Sequence, residues 1–321
     1  MDIKELLERI AKGERDFVGI DLSQLTIEFR KNIGTHRSEI RLISAWVNLN
    51  DCNFRDSDFR ESEFYSANFK KSNLRDTNFT NTTIFWTNFC QANLTNSNFS
   101  NALIKYTTFI KANLSKANFE QTNLVDVEFS RANLSEANFR NSILAVEKYS
   151  KADECVNFTL ANLSKANFTN ANLSQGNLVL ADLTEANLTG ADFSYANLAS
   201  ANLSRANLTD TILSYANFKG TKIDNAVISD KWLKVWEIVN QGAENFDLRG
   251  VDLSNADLSG VNFSDANLSG ANLNGVNFNR ANLSDANLSN ANLTNATLYD
   301  TNLENVNLEH ADLTGVKPLL F

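Results

Sequence analysis

Residues 281–315, ANLSDANLSNANLTNATLYDTNLENVNLEHADLTG, carry a leucine at every fifth position and a small residue two places before nearly every one. A helix repeats at 3.6 residues and a strand at two, so neither keeps such a series on one face. On a helix, five residues advance about 140° and spray Leu283, Leu288, Leu293 and Leu298 around the axis. On a flat strand, an odd period sends successive leucines to opposite sides. Within one unit, however, Ala291 and Leu293 are two apart, and a short extended segment aims both the same way. If the chain then turns about 90°, the next pair faces the same interior. Four such corners close a square coil, and coils stacked at about 4.8 Å, the spacing of paired strands, build a solenoid.

The choice between Phe and Leu at the central position tests the number four independently. Phe occupies 59, 79, 99, 119 and 139, and also 69, 89, 109 and 129. The columns between are aliphatic: Leu74, Leu94, Leu114 and Leu134, then Ile84, Ile104, Leu124 and Leu144. Like residues recur every 20 positions, as stacking in a four-sided coil requires. A three-sided coil would mix Phe with Leu in each column. The expected architecture is therefore an all-β solenoid with phenylalanine ladders on two opposite walls and aliphatic ladders on the other two.

Named by its central residues, a first block runs from Leu49 to Leu144, a second from Phe158 to Ile228 and a third from Leu248 to Leu313. The division this implies is a helical cap with an irregular segment (1–45), block 1 (46–144), a loop interruption (145–155), block 2 (156–228), a helical insertion (229–245), block 3 (246–315) and a C-terminal cap (316–321). In the helical insertion, Asp230 is the expected N-cap, Trp232, Leu233, Val235, Trp236 and Val239 form a broad apolar face, and Gly242 is the stop. The start of the chain, IKELLERIAKGERDFVGIDLS, repeats that plan. Both helices are expected to cover a solenoid end, which otherwise exposes apolar core and unpaired strand edges. The tail Val316 to Phe321 either closes the far end or makes a dimer contact through Leu319 to Phe321, so monomer and dimer both stay open. Whether the column register survives the first loop, and whether the blocks stack coaxially, are also open.

The unit A-[ND]-[LF]-[ST]-x, as in Ala181-Asp182-Leu183-Thr184-Glu185 and Ala271-Asn272-Leu273-Asn274-Gly275, resembles the pentapeptide-repeat family. That resemblance implies a right-handed quadrilateral β-helix. The stretch WLKVWEIVNQ at 232–241 followed by DLRGVDLS is similar to linkers in cyanobacterial members and suggests such a source. Some members imitate B-form DNA and bind DNA gyrase, and others bind regulators of cyanobacterial cell differentiation.

The chemistry of the side chains argues against an enzyme. The chain has only two histidines, His36 and His310, far apart and without an evident companion. General acid/base work needs titratable groups that converge in a pocket, whereas a filled solenoid turns its Asp and Glu outward. No phosphate loop or metal-ligand cluster is present, so no cofactor and no metal are expected. Three unpatterned cysteines, Cys52, Cys90 and Cys155, indicate thiols in a reducing compartment. The charged amphipathic start and the lack of a long apolar run point to a cytoplasmic protein without a membrane span.

Function is then expected on the outer walls. Tyr65 and Phe85 are 20 apart, as are Trp86 and Tyr106 one position along, with Val125 continuing the first column. Contiguous exposed aromatics mark binding sites, so these four are the candidate partner-binding residues. The competing reading is that residues 28–45 or the loop after Leu144 fold over them. Tyr195 and Tyr215 form a second pair that could support the helical insertion. A column of Lys71, Gln91, Lys111 and Arg131 is a weaker candidate for an acidic partner. A DNA mimic needs dense, continuous negative charge to compete for a phosphate site. Residues 46–144 hold ten acidic and ten basic residues, whereas 248–321 hold eight and three, so only the last block is acidic. The favoured expectation is a non-enzymatic interaction scaffold for a protein partner, without direct nucleic-acid binding. The alternatives are a gyrase modulator or a purely structural spacer.

Overall fold

The computed structural model describes residues 3–23, 26–27, 47–145 and 155–317. The expectations for His36, for residues 28–45 and for the end of the tail lie outside the described residues. The chain winds as a solenoid of parallel rungs: Asn73 pairs with Asn93, Asn113 with Asn133 and Asn187 with Asn207, each 20 residues apart. Where a wall is straight enough the rungs are named strands. These are β1 (Thr26–Ile27), β2 (Val47–Asn48), β3 (Glu63–Tyr65), β4 (Ala67–Asn68), β5 (Thr83–Phe85), β6 (Leu103–Thr108) and β7 (Asn123–Glu128). One parallel sheet runs in the order β1, β3, β5, β6, β7.

Three features of each five-residue unit produce this geometry. The central side chain points inward: Phe99 stacks between Phe79 and Phe119 at ring-centre distances of 4.7 and 4.9 Å, with interplanar angles of 2°. The opposite wall meets it edge-on, as in Phe99 against Phe109 at 6.0 Å. Burying such a ring contributes about 1.5–3 kcal/mol, and each aromatic pair about 0.5–1.5 more. The second inward position, two residues earlier, is small because the neighbouring corner leaves no room. Where it is Ser or Thr the buried hydroxyl donates to a carbonyl, as Thr82 Oγ1 does to Phe79 at 2.7 Å.

The asparagine between them explains its own abundance. Asn133 Oδ1 accepts the backbone N–H of Ser135 at 3.2 Å, while its Nδ2 donates to Asn113 Oδ1 one rung below at 3.0 Å. Each asparagine thereby fixes its own turn and ties it to the next coil. The corner is made by a residue in the left-handed region, such as Asn96 at φ 65°, Lys116 at 61° or Glu136 at 58°. Side chains disfavour that conformation. Here the ladder on either side imposes it, since Lys116 N–H donates to Ser135 C=O at 2.9 Å.

The interruptions preserve the ladder. Asp16 pairs with Asn53, Asp21 with Asp58 and β1 with β3, so residues 16–23 and 26–27 add a further rung beneath the first block. Above Glu128 the partner is Asn157, and Asn162 Nδ2 reaches Asn133 across 29 positions, so the register passes through the first loop intact. Phenylalanine stacking continues likewise from Phe129 to Phe158 at 5.1 Å and from Phe139 to Phe168 at 4.8 Å.

Helix α1 (Ile3–Ala11) buries Leu6 and Ile10. Helix α2 (Asp230–Gln241) buries Trp232, Val235 and Ile238. The N-cap of α2 is Ser229, with extended φ −69° and ψ 152°, not Asp230, which occupies the first turn where its negative charge meets the helix dipole. The apolar face also differs from the expected one. Ile238 is fully buried, while Leu233, Trp236 and Val239 are only partly so.

Candidate functional site

The first block's sheet brings the four expected aromatics together. Parallel pairing of β3 with β5 sets Tyr65 over Phe85, and their rings meet edge-on at 5.4 Å. At the adjoining corner, Trp86 and Tyr106 hold φ of 51° and 54°, and their rings stack at 5.6 Å and 11°. Phe85 joins the two pairs through an edge contact with Trp86 at 5.8 Å. Trp86 is 43% exposed and Tyr106 41%, whereas Tyr65 and Phe85 are half-buried. The column above ends differently: Lys105 follows Phe85, and Val125 is 3% exposed.

The same corner is where the chain departs from the coil twice. Ile27 pairs with Phe64 and Val47 with Ala67, so these two described ends lie beneath the residues on either side of Tyr65 and Ser66. Ile143 pairs with Asn123 and Asn157 with Glu128, on either side of the equivalent corner at Asp126. The aromatic patch lies between these two departures.

The second tyrosine pair has a different role from the expected one. Tyr195 and Tyr215 stack at 4.7 Å. Tyr215 reaches the third block: its N–H donates to Asn255 C=O at 2.8 Å and its hydroxyl to Asn255 Oδ1 at 3.1 Å. Burial, and then the neighbouring Tyr195, push the Tyr215 phenol above its ordinary pKa. The basic column of Lys71, Lys111 and Arg131 occupies left-handed corners. It continues into Leu160 and Leu180, which are 44% and 52% exposed. That apolar extension was hidden in the sequence because the register across the loop could not be read there.

Cys52 is buried, and burial raises its thiol pKa to about 11. Among the described residues, no group of three His, Cys, Asp or Glu could hold a metal ion, and no helix is long and apolar enough to cross a membrane.

The sequence matches the family model described as pentapeptide repeats, in eight copies, over residues 45–81, 85–145, 161–230 and 247–317. No curated protein matches it significantly. Among solved structures, it is similar to HetL, a pentapeptide repeat protein involved in heterocyst differentiation regulation from the cyanobacterium Nostoc sp. strain PCC 7120. That likeness is at 22% identity over 98% of this chain and 96% of HetL, with a TM-score of 0.44. Rfr23 from the cyanobacterium Cyanothece 51142 is 34% identical over 32% of this chain and 64% of its own, with a TM-score of 0.29. QnrB1, a plasmid-mediated fluoroquinolone resistance protein, is 20% identical over 76% of this chain and 89% of its own, with a TM-score of 0.30.

Proposed function

The chain belongs to the pentapeptide-repeat family, and from that premise we propose that it is a non-enzymatic scaffold for protein–protein interaction whose partner docks on the aromatic wall formed by Tyr65, Phe85, Trp86 and Tyr106. The observation that carries this reading is the stacked, solvent-facing pair of Trp86 and Tyr106, which Phe85 joins edge-on to Tyr65 in a group of four contiguous aromatic rings. Large rigid rings contribute most to interface energy when a partner completes their desolvation. Each ring here is held by its neighbour and by a rigid backbone, so docking orders little that is not already ordered.

Several features accord with a scaffold. Among the described residues, the interior is filled mainly by Phe, Leu, Ile and Ala side chains. The described carboxylates and amines stand outward, many in pairs such as Lys165 with Glu185 at 3.7 Å. The proposal includes a cytoplasmic location and a regulatory role in a cyanobacterium, with the three repeat blocks as the units of display.

The test is affinity capture from lysate of the source organism, comparing the intact protein with a Trp86→Ser, Tyr106→Ser double variant whose fold is checked by thermal melting. A partner retained by the intact protein and lost by an equally stable variant supports the reading. A variant that melts much earlier identifies these rings as covered core and removes the site. Capture of the same partner by both proteins places the contact elsewhere.

A further inference from the structure

A rung of the solenoid is missing where α2 interrupts it. Along the wall through Asn177, Asn197 and Asn217 the ladder follows a strict rule. Asn217 N–H donates down to Ala196 C=O at 3.0 Å, and Leu198 N–H donates up to Asn217 C=O at 3.1 Å. The rule resumes in the third block, where Asn277 N–H donates to Ala256 C=O at 3.0 Å and Leu258 N–H to Asn277 C=O at 2.9 Å. The rung between them would centre on Glu237, which lies in α2. Four backbone groups therefore have no hydrogen-bond partner among the described residues: Ala216 C=O and Phe218 N–H below, and the N–H and C=O of Asp257 above.

Asp257 and Asn217, the residue between Ala216 and Phe218, line a cleft of about 340 Å³, within the size range of ligand sites. Asn217 and Lys219 form its lower lip, Asp257 and Ser259 its upper lip, and Ile238 and Val239 of α2 its floor. At one end the Tyr215 N–H to Asn255 C=O bond draws the two coils together and closes it. At the other, Ser259 and Gly260 are shared with a second groove of about 500 Å³ that extends to Tyr299.

We propose that this cleft takes an extended peptide from a partner protein, which enters as the absent rung, parallel to its neighbours. The ladder rule fixes the pairing of three residues. The middle residue donates its N–H to Ala216 C=O and accepts from Phe218 N–H. The residue before it accepts from Asp257 N–H, and the residue after it donates to Asp257 C=O. Strand addition of this kind derives its affinity from main-chain bonds and its specificity from alternate side chains.

The side-chain chemistry follows from the same column. Asn217 Nδ2 donates to Asn197 Oδ1 at 3.1 Å and Asn277 Nδ2 to Asp257 Oδ1 at 2.8 Å, so an asparagine in the middle can donate to Asn217 Oδ1. The flanking residues face the fully buried Ile238 and must be small. The closed end at Tyr215 sets the direction, with the peptide's continuation leaving past Gly260. This site is separate from the aromatic wall and stands or falls independently of it.

The test uses the intact protein and a synthetic probe, acetyl-Gly-Ala-Asn-Ala-Ser-Gly-amide, with amide exchange followed by NMR. The expected result is saturable slowing of exchange at Phe218 and Asp257, unchanged in the Trp86→Ser, Tyr106→Ser variant. The same peptide N-methylated at its asparagine should bind about tenfold more weakly, because it cannot donate to Ala216. A Val239→Phe variant, which fills the floor, should lose the protection. The proposal is overturned if neither amide is protected at millimolar peptide, or if the N-methylated peptide binds equally well.

Discussion

Asn240 in α2 takes the place of a peptide group in the broken ladder, and removing it should open the junction in a specific order. Its Oδ1 accepts Gly220 N–H at 2.6 Å, while its Nδ2 donates to Phe218 C=O at 3.2 Å and to Trp236 C=O at 2.9 Å. The nearby Trp236 Nε1 donates to Thr221 C=O at 2.9 Å, so two side chains of α2 satisfy the edge of the last coil of block 2. Asn240→Ala removes one donor from Phe218 C=O, which keeps the Thr221 N–H and Oγ1, and loses the Gly220 bond, worth up to about 1 kcal/mol because that residue is exposed. A loss of about 1 kcal/mol corresponds to roughly fivefold faster exchange at the Gly220 amide. Local exchange is the right assay, because a long repeat array need not unfold in two states. Asn240→Asp separates the two functions. It keeps the acceptor for Gly220 but abolishes the donor to Phe218 and Trp236, so Gly220 should stay protected while the C-terminal turn of α2 loosens. If Ala and Asp accelerate Gly220 equally, or neither does, the side-chain amide is not replacing a rung.

Other outcomes follow from the same packing. Phe99→Ala, in the middle of a stacked ladder, should destabilise the first block by about 3–5 kcal/mol in chemical denaturation, while Phe99→Leu, the residue the adjoining walls already use, should recover most of the loss. The Cys52 thiol, raised by burial to about 11, should resist alkylation at neutral pH until the chain unfolds, and rapid native labelling would show that its end of the solenoid opens. Asp252 is partly buried, which alone would raise its pKa. Bonds from the Ser254 N–H and from Lys231 outweigh burial and hold the carboxylate below its ordinary range. Because the folded pKa is the lower one, the stabilisation is present above the ordinary carboxylate pKa and is lost as pH falls through the folded value. Protection factors of the first-turn amides of α2 should therefore fall at acid pH in the native protein but not in Asp252→Asn. In a DNA gyrase supercoiling assay the protein should leave activity unchanged, and inhibition or protection at low micromolar concentration would favour the charge-mimic reading instead.

Much of this architecture was legible in the sequence because one physical constraint wrote it repeatedly. A four-sided coil stacks each residue on the one 20 earlier, so the alternation of Phe59, Leu74, Phe79 and Leu94 exposed the number of sides without any structural input. The aromatic pairs followed from the same arithmetic, Trp86 over Tyr106 and Tyr65 over Phe85. What could not be read is what the period does not govern. The 29-residue step across the first loop is set by how many residues leave the coil, and AVEKYSKADECVN carries no mark of where they do so. Ser229 and Asp230 are both good capping types, and only the extended backbone of Ser229 decides between them. Asn240 has the pattern of a polar surface residue on a helix, because its role depends on two coils that the helix separates.

The placement of the departures shows why such a rod can acquire surfaces without losing its core. A coil of fixed perimeter tolerates extra residues only where the chain can leave and return without breaking a rung. The described coil stops at Ile27 and resumes at Val47, and stops at Ala145 and resumes at Cys155, both times with every flanking rung paired and beside the aromatic patch. For flexible chain, doubling the length between fixed ends costs only about 0.6 kcal/mol more in closure entropy, so length there is nearly free. The α2 insertion is of another kind. It replaces sides of a coil instead of adding to one, and Tyr215 must bond to Asn255 across 40 positions to rejoin the ladder. Corner additions leave every rung paired, whereas substitution of a rung leaves the edge groups of Ala216, Phe218 and Asp257 unpaired. An aromatic patch beside the first kind and a polar, strand-shaped vacancy beside the second are two surfaces of different chemistry. A substitution that abolishes binding at one should leave the other untouched, since the aromatic patch lies in block 1 and the vacancy where block 2 meets block 3.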